Sequence, residues 1–167
     1  MHIRMAILND AAAIAEIYNQ GIDDRVATYE TRRRSAEDQR TWLQSIAGRY
    51  PAIVAHIGAE IIGWTGAGPY RDRECYRGIG EFSMYVRRDW RGRGVGDLLV
   101  AGLISESERL GLWKLLSRIF PFNEASLALC RKHGFREVGV YKKHARLDGQ
   151  WLDVVIVERL ITANVTP

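Results

Sequence analysis

The densest chemistry in the chain is Arg91-Gly92-Arg93-Gly94-Val95-Gly96. It lies between a β-like run ending near Arg87 and an amphipathic run from about Gly94 to Leu110. The first turn of a helix has unpaired N–H groups and a partial positive charge. Glycines let an anion reach that backbone, and Arg87, Arg88, Arg91 and Arg93 add charge around it. Together they suit a phosphate or diphosphate. The turn is not a P-loop, because no Gly-Lys-Ser/Thr follows, and it lacks the G-x-G-x-x-G dinucleotide spacing. Glycines at a strand-to-helix turn also serve geometry alone, so the turn by itself leaves both readings open.

Upstream lies Glu81, in the extended run Gly80–Arg87. Strand alternation puts Ile79, Glu81, Ser83 and Tyr85 on one face. A carboxylate among apolar neighbours is pushed toward working pH and suits a general base. Pairing with a nearby arginine is the alternative. The loop Tyr70-Arg71-Asp72-Arg73-Glu74-Cys75-Tyr76-Arg77 is dense in Arg and Tyr. Arg71, Arg73 and Arg77 could fork onto substrate oxygens, with Asp72 and Glu74 offsetting part of the charge. Arg32-Arg33-Arg34 reads as a solvated linker. The two cysteines, Cys75 and Cys130, match no metal spacing, and the four histidines are scattered. No metal is expected.

These groups need a scaffold, and apolar periodicity supplies one. Ile3–Ala6 is β-like. Asn9 or Asp10 then caps a helix carrying Ala11, Ile14, Ile17 and Tyr18, interrupted near its end by Gly21. Ser35 opens a second helix with Trp42, Leu43 and Ile46 on one face. Ala52–His56 and Ile61–Pro69 read as a hairpin turning at Gly58. After Gly80–Arg87, the long helix buries Val95, Leu98, Leu99, Gly102 and Leu103. Lys114–Phe120 is a buried strand. Asn123 opens a short helix through Lys132 that Gly134 ends in the left-handed region. Two last strands, about Arg136–Arg146 and Trp151–Leu160, turn at Asp148-Gly149. The order β-α-α-β-β-β-α-β-α-β-β predicts an α/β (α+β) fold, a mixed sheet with helices on both faces.

At 167 residues the chain has the length of one domain, expected over 1–162 with a loose tail at 163–167. The composition, 47% hydrophobic and 26% charged, excludes a disordered or fibrous chain. No apolar run is long enough for a membrane helix, and Arg4, Asn9, Asp10 and Glu16 break any signal-peptide core. A cytoplasmic protein with no membrane partner is expected. The net charge of +4, with Arg supplying 20 of the 24 basic residues, invites an anionic ligand without identifying it.

The combined motifs resemble the GNAT N-acetyltransferase superfamily, whose acetyl-CoA motif is Arg/Gln-x-x-Gly-x-Gly/Ala. Here that motif is Arg91-Gly92-Arg93-Gly94-Val95-Gly96, preceded by Tyr85-Val86-Arg87-Arg88-Asp89-Trp90. Asn123-Glu124-Ala125-Ser126 and Lys132-His133-Gly134-Phe135 follow at the family's distances. Ile17-Tyr18-Asn19-Gln20-Gly21, Ala27-Thr28-Tyr29-Glu30, Glu81-Phe82-Ser83-Met84-Tyr85-Val86 and Gly149-Gln150-Trp151-Leu152-Asp153 resemble the phosphinothricin and arsinothricin acetyltransferase branch.

The resemblance implies a mostly antiparallel sheet whose central parallel strands splay to admit acetyl-CoA. Met84, Tyr85 and Val86 would bond the pantetheine arm through their backbone. Arg91, Gly92, Arg93, Gly94, Val95 and Gly96 would hold the pyrophosphate. Asn123 and Ser126 would meet the cofactor near its thiol end, although Asn123 is also a good helix cap. Glu81 would be the base for the substrate amine, with an oxyanion donor on the backbone near Tyr85. Tyr29, Glu30, Arg71, Arg73 and Tyr76 would line the pocket for a small anionic amino acid or analogue of the phosphinothricin, arsinothricin or methionine sulfone type, with antibiotic resistance as a possible role. Relatives often place a tyrosine acid where Cys130 stands here; a thiol donates only weakly, and Cys130 reads as a small buried hydrophobe. His133 reads as an exposed or capping residue. Family members commonly form homodimers through sheet and C-terminal strands, a role open to Trp151-Leu152-Asp153.

Two readings compete. One is acetylation of protein or peptide termini on the same fold. The other is a basic nucleic-acid-binding domain, but the arginines cluster in turns and no such motif appears, so no nucleic-acid partner is expected.

Overall fold

The computed structural model describes residues 1–165. Seven strands form one sheet in the order β1-β2-β3-β4-β5-β7-β6. They are β1 (His2–Met5), β2 (Ala52–Ile57), β3 (Glu60–Pro69), β4 (Ile79–Val86), β5 (Lys114–Ile119), β6 (Arg136–Leu147) and β7 (Gln150–Leu160). Every pairing is antiparallel except β4 with β5. The helices are α1 (Ala11–Asp24), α2 (Ala36–Ile46), α3 (Val95–Arg109) and α4 (Glu124–Lys132). The mixed sheet expected from the sequence is the one observed.

Local chemistry sets the boundaries. Ser35 Oγ accepts from Asp38 N–H at 3.0 Å while Asp38 Oδ2 accepts from Ser35 N–H at 2.8 Å, a reciprocal cap for α2. Asn123 Oδ1 accepts from Ser126 N–H and caps α4. Gly21 does not interrupt α1 as expected. The helix runs on to Asp24 and stops at Arg25, which is left-handed. Gly21 is instead a notch: a Cβ there would lie 2.5 Å from the Tyr85 ring. The expected loose tail is partly anchored, since Asn164 Nδ2 donates to Glu108 C=O and Leu112 C=O. Residues 166 and 167 of that tail lie outside the described residues.

The helices cover both faces. On one, Tyr18 of α1 and Trp42 of α2 meet Trp64 and Tyr85 of the sheet. Trp64 and Tyr85 stack with centroids 5.2 Å apart. Each such contact adds about 0.5–1.5 kcal/mol beyond its buried area, so the chain of rings fixes α1 and α2 on β3 and β4. On the other face, Gly63 lies under Val95 and Leu99 of α3, and Met84 reaches Gly96. The faces of β4 therefore divide: Glu81, Ser83 and Tyr85 look toward α1 and α2, Phe82 and Met84 toward α3 and α4.

Candidate active site

Strands β4 and β5 pair only from Ile79–Lys114 to Glu81–Leu116, although both run further. Beyond that point they part, as the family resemblance implies. Ser117 Oγ donates to Phe82 C=O at 2.9 Å at the start of the gap. On the opposite side, Thr65 Oγ1 of β3 donates to Ser83 C=O. Backbone groups alternate along a strand. Met84 and Val86 thus turn their N–H and C=O toward the gap, and Tyr85 turns its own toward β3. Of Met84, Tyr85 and Val86, it is Met84 and Val86 whose backbone groups face the gap. The N–H available to an oxyanion is that of Met84, not of Tyr85. Tyr85 contributes its ring, whose phenol is pushed above its usual range by burial and by neighbouring Tyr18.

A cleft of about 450 Å³ continues from the gap over the glycine-arginine turn. Gly92 and Gly94 hold φ of +73° and +81°, a region costly for other residues. Gly94 is the N-cap of α3 and carries no side-chain cap, so the first-turn N–H groups face the cleft unclaimed by a side chain. Arg91 lines it. Its Nη1 stands 2.7 Å from Asp24 Oδ2 outside hydrogen-bond geometry, and its Nε donates to Val86 C=O at 3.2 Å. Burial works against the Asp24 carboxylate, but Arg88 and Arg91 outweigh it and hold the group below its usual range. Arg93 departs from expectation: its guanidinium lies over the Trp90 ring at 5.1 Å, outside the cleft lining. Val95, Gly96, Asn123 and Ser126 line the cleft as expected. Asn123 serves as both cap and tether, since its Nδ2 also donates to Val26 C=O.

A narrow slot of about 60 Å³ penetrates the gap. It shares Met84, Tyr85, Asn123 and Ser126 with the first cleft. It shares Ser83 with a second cleft, of about 390 Å³, on the α1–α2 face. The slot thus borders both clefts. Cys130 lines the slot, and burial pushes its thiol up to about 11. His133 is half-buried, with Nε2 3.0 Å from Asp97 Oδ1.

Glu81 lines the second cleft. Its carboxylate is paired with an arginine. Arg118 of β5 donates through Nε to Glu81 Oε1 at 2.7 Å, and through Nη2 to the same oxygen. The arginine alternative is what the fold builds.

The residues expected around the substrate divide. Tyr29 packs edge-on against Phe120, and its hydroxyl donates to Leu152 C=O at 3.1 Å, tying the loop after α1 to β7 instead of lining a cleft. Glu30 pairs with Arg34 at 2.8 Å. Arg71 sits over the Tyr70 ring, and Tyr76 meets that ring edge-on. Arg71 and Arg73 are exposed, and neither they nor Tyr76 line the second cleft. Its lining instead includes Tyr18, Arg34, Gln39, Trp42 and Trp64. Arg34, read as linker, is therefore a correction. The signal was Asn19, too polar for the buried face of a helix unless it serves a neighbour.

The model of the acetyltransferase (GNAT) domain family matches residues 1–136. The chain belongs to this family. A GNAT phosphinothricin acetyltransferase from Sinorhizobium meliloti, solved with acetyl-CoA, is 30% identical; the match covers 95% of this chain and 87% of that one at a TM-score of 0.89. A ribosomal-protein-alanine N-acetyltransferase from Brucella melitensis is 31% identical, with 96% and 100% covered and a TM-score of 0.92. The L-methionine sulfoximine/L-methionine sulfone acetyltransferase of Pseudomonas paraeruginosa is 32% identical over 93% of this chain and 92% of its own. The chain is an acetyl-CoA-dependent N-acetyltransferase of GNAT type. Its fold fits that co-substrate: free strand groups for an amide-bearing arm, an uncapped helix start for a diphosphate, and a slot through the sheet. No helix among the described residues is long and apolar enough to cross a membrane.

Proposed function

We propose that the protein acetylates the amino group of a small anionic amino acid or analogue of the phosphinothricin or methionine sulfone type. The observation that carries this reading is the position of Glu81, at the cleft that meets the acyl slot through Ser83. Acetyl-CoA supplies an activated acyl carbon. The chain must deliver an amine to it in neutral form, and an α-ammonium is mostly protonated at neutral pH. Glu81 accepts that proton, directly or through a water, and the nitrogen lone pair then attacks the acyl carbon. Met84 N–H donates to the acyl oxygen as its charge grows. The C–S bond breaks, the thiolate leaves, and the nitrogen sheds its second proton to water or to the departing sulfur, which completes the amide. A thiol near pKa 8.5 departs readily without an acid. Cys130, raised to about 11, is a poorer proton donor than the thiolate needs.

Arg91, Gly92, Gly94, Val95 and Gly96 bind the diphosphate in this reading, and Asn123 and Ser126 border the arm. The names of the Sinorhizobium and Pseudomonas relatives support the substrate class, and so do the guanidiniums of Arg34 and Arg118 around Glu81. Two free cysteines fit a reducing, cytoplasmic setting. The β6 edge, with Val138, Val140 and Tyr141 exposed, and Trp151 of β7 support pairing as a homodimer.

The test is thiol release from acetyl-CoA across phosphinothricin, methionine sulfone, glutamate, a simple amine and an alanine-ended peptide. Turnover confined to the free amino acids bears the proposal out. Preference for the peptide overturns it in favour of the activity named for the Brucella relative. In the same assay Glu81→Gln lowers kcat by about 10²–10⁴-fold.

A further inference from the structure

Arg118 enters none of the steps above, yet it holds the proposed base. It sits on β5 beyond the last paired position, Leu116, and so on the far lip of the gap. It lines the narrow slot between β4 and β5. Two of its nitrogens converge on one oxygen, Glu81 Oε1. Neither Glu81 Oε2 nor Arg118 Nη1 takes part in that contact. Relative side-chain exposures of 47% for Arg118 and 24% for Glu81 leave both within reach of a ligand. A partly exposed pair contributes little to the fold, so exchanging its partners is easy.

An α-amino acid carries the complementary pair, an ammonium and a carboxylate on one carbon. We propose that Arg118 receives the α-carboxylate of the substrate, making the site selective for free α-amino acids over amines that lack it. The assignment rests on the amino-acid reading above. The zwitterion replaces one internal ion pair by two: ammonium on Glu81, carboxylate on the Arg118 fork. The exchange frees Glu81 from the guanidinium as the ammonium reaches it. An amine without a carboxylate leaves Arg118 on Glu81 and must compete with it. The arginines of the loop after β3 are then not needed for the α-carboxylate.

The test compares L-methionine sulfone with its decarboxylated amine, 3-(methylsulfonyl)propan-1-amine. Equilibrium binding and thiol release are measured separately for wild type, Arg118→Ala and Arg118→Lys. Wild type should favour the amino acid by about tenfold or more in binding, and Arg118→Ala should reduce that preference to within about threefold. Arg118→Lys keeps the charge but loses the fork, and should fall between them. Thermal melts check that the variants fold, and the lysine variant carries the test if the alanine one does not. A wild type that binds both compounds alike, or an Arg118→Ala that keeps the preference, overturns the assignment. A binding preference that follows Arg118 without any thiol release supports the assignment and overturns only the reading of methionine sulfone as acetyl acceptor.

Discussion

Asn19 holds both backbone groups of Arg34. Its Oδ1 accepts from Arg34 N–H at 2.7 Å, and its Nδ2 donates to Arg34 C=O at 2.9 Å. Asn19 is buried on α1 and Arg34 lies just before α2, so the amide fixes where the segment between the helices borders the cleft at Glu81. The guanidinium then pairs with Glu30 and borders the space in front of Glu81. Asn19→Ala leaves a peptide N–H and C=O without partners and should destabilise the fold by about 1–3 kcal/mol. It should also raise KM for an anionic amino acid by roughly 3–10-fold with a smaller change in kcat, because it displaces a binding group and not the reacting atoms. Chemical denaturation and steady-state kinetics read the two effects apart. A stability loss with unchanged KM would leave Asn19 a purely structural residue.

At Gly94 the expected change is the reverse, function lost with the fold kept. A Cβ there meets no atom within 4 Å, so crowding inside the empty protein does not arise. The φ of +81° makes any other residue strained, by about 1–3 kcal/mol for a β-branched one. Gly94→Val should therefore fold with a lowered Tm and lose acetyl-CoA affinity by about 100-fold or more, since its methyls occupy the anion's approach to the helix start. Titration of acetyl-CoA into the folded variant decides it, and wild-type affinity would remove the turn from the binding site.

Turns and most helix ends were legible because each acts within a few residues, whereas Gly21, inside α1, was not. The helix start at Ser35, the left-handed Gly134 and the hairpin at Asp148-Gly149 are local physics, and the structure reproduces them. Glu81 was legible as a strand-face carboxylate, but its partner was not. Arg118 is adjacent only once β4 and β5 pair in parallel, with α3 between them in sequence. Arg34 was hidden for a related reason: a run of three arginines looks solvated until a distant amide turns one inward. The loop at Arg71 and Arg73 misled in the opposite sense, because charge density in a loop says nothing about which way it points.

Cys130 offers a test of the unassisted leaving group. Its thiol lines the slot but is raised by burial to about 11. Cys130→Ala should keep kcat within about threefold of wild type and lose roughly 1 kcal/mol of stability from the small void. A fall in kcat of a hundredfold, with the high-pH limb of the rate profile moved, would instead make the thiol the acid.

Asp10 carries an acid-sensitive share of the stability. Asp10 is 7% exposed; its carboxylate accepts from Ile7 N–H at 2.9 Å and takes both Arg4 terminal nitrogens at 2.7 and 2.8 Å. Burial pushes its pKa up, but Arg4 and the Ile7 amide outweigh burial and leave it below its usual range. A group with a lowered folded pKa binds its proton more readily when unfolded. Its stabilisation is therefore present above the unfolded value of about 3.9 and is lost as pH falls through the folded one. Asp10→Asn should cost about 1–3 kcal/mol at neutral pH, where it leaves Arg4 without its anion. The gap between variant and wild type should narrow at an acid pH, below the unfolded value of about 3.9 and through the lowered folded one, as wild-type Asp10 itself protonates. Urea unfolding of both proteins at the two pH values measures the gap, and a difference that does not shrink with acid would mean that packing, not charge, anchors the start of α1 to β1.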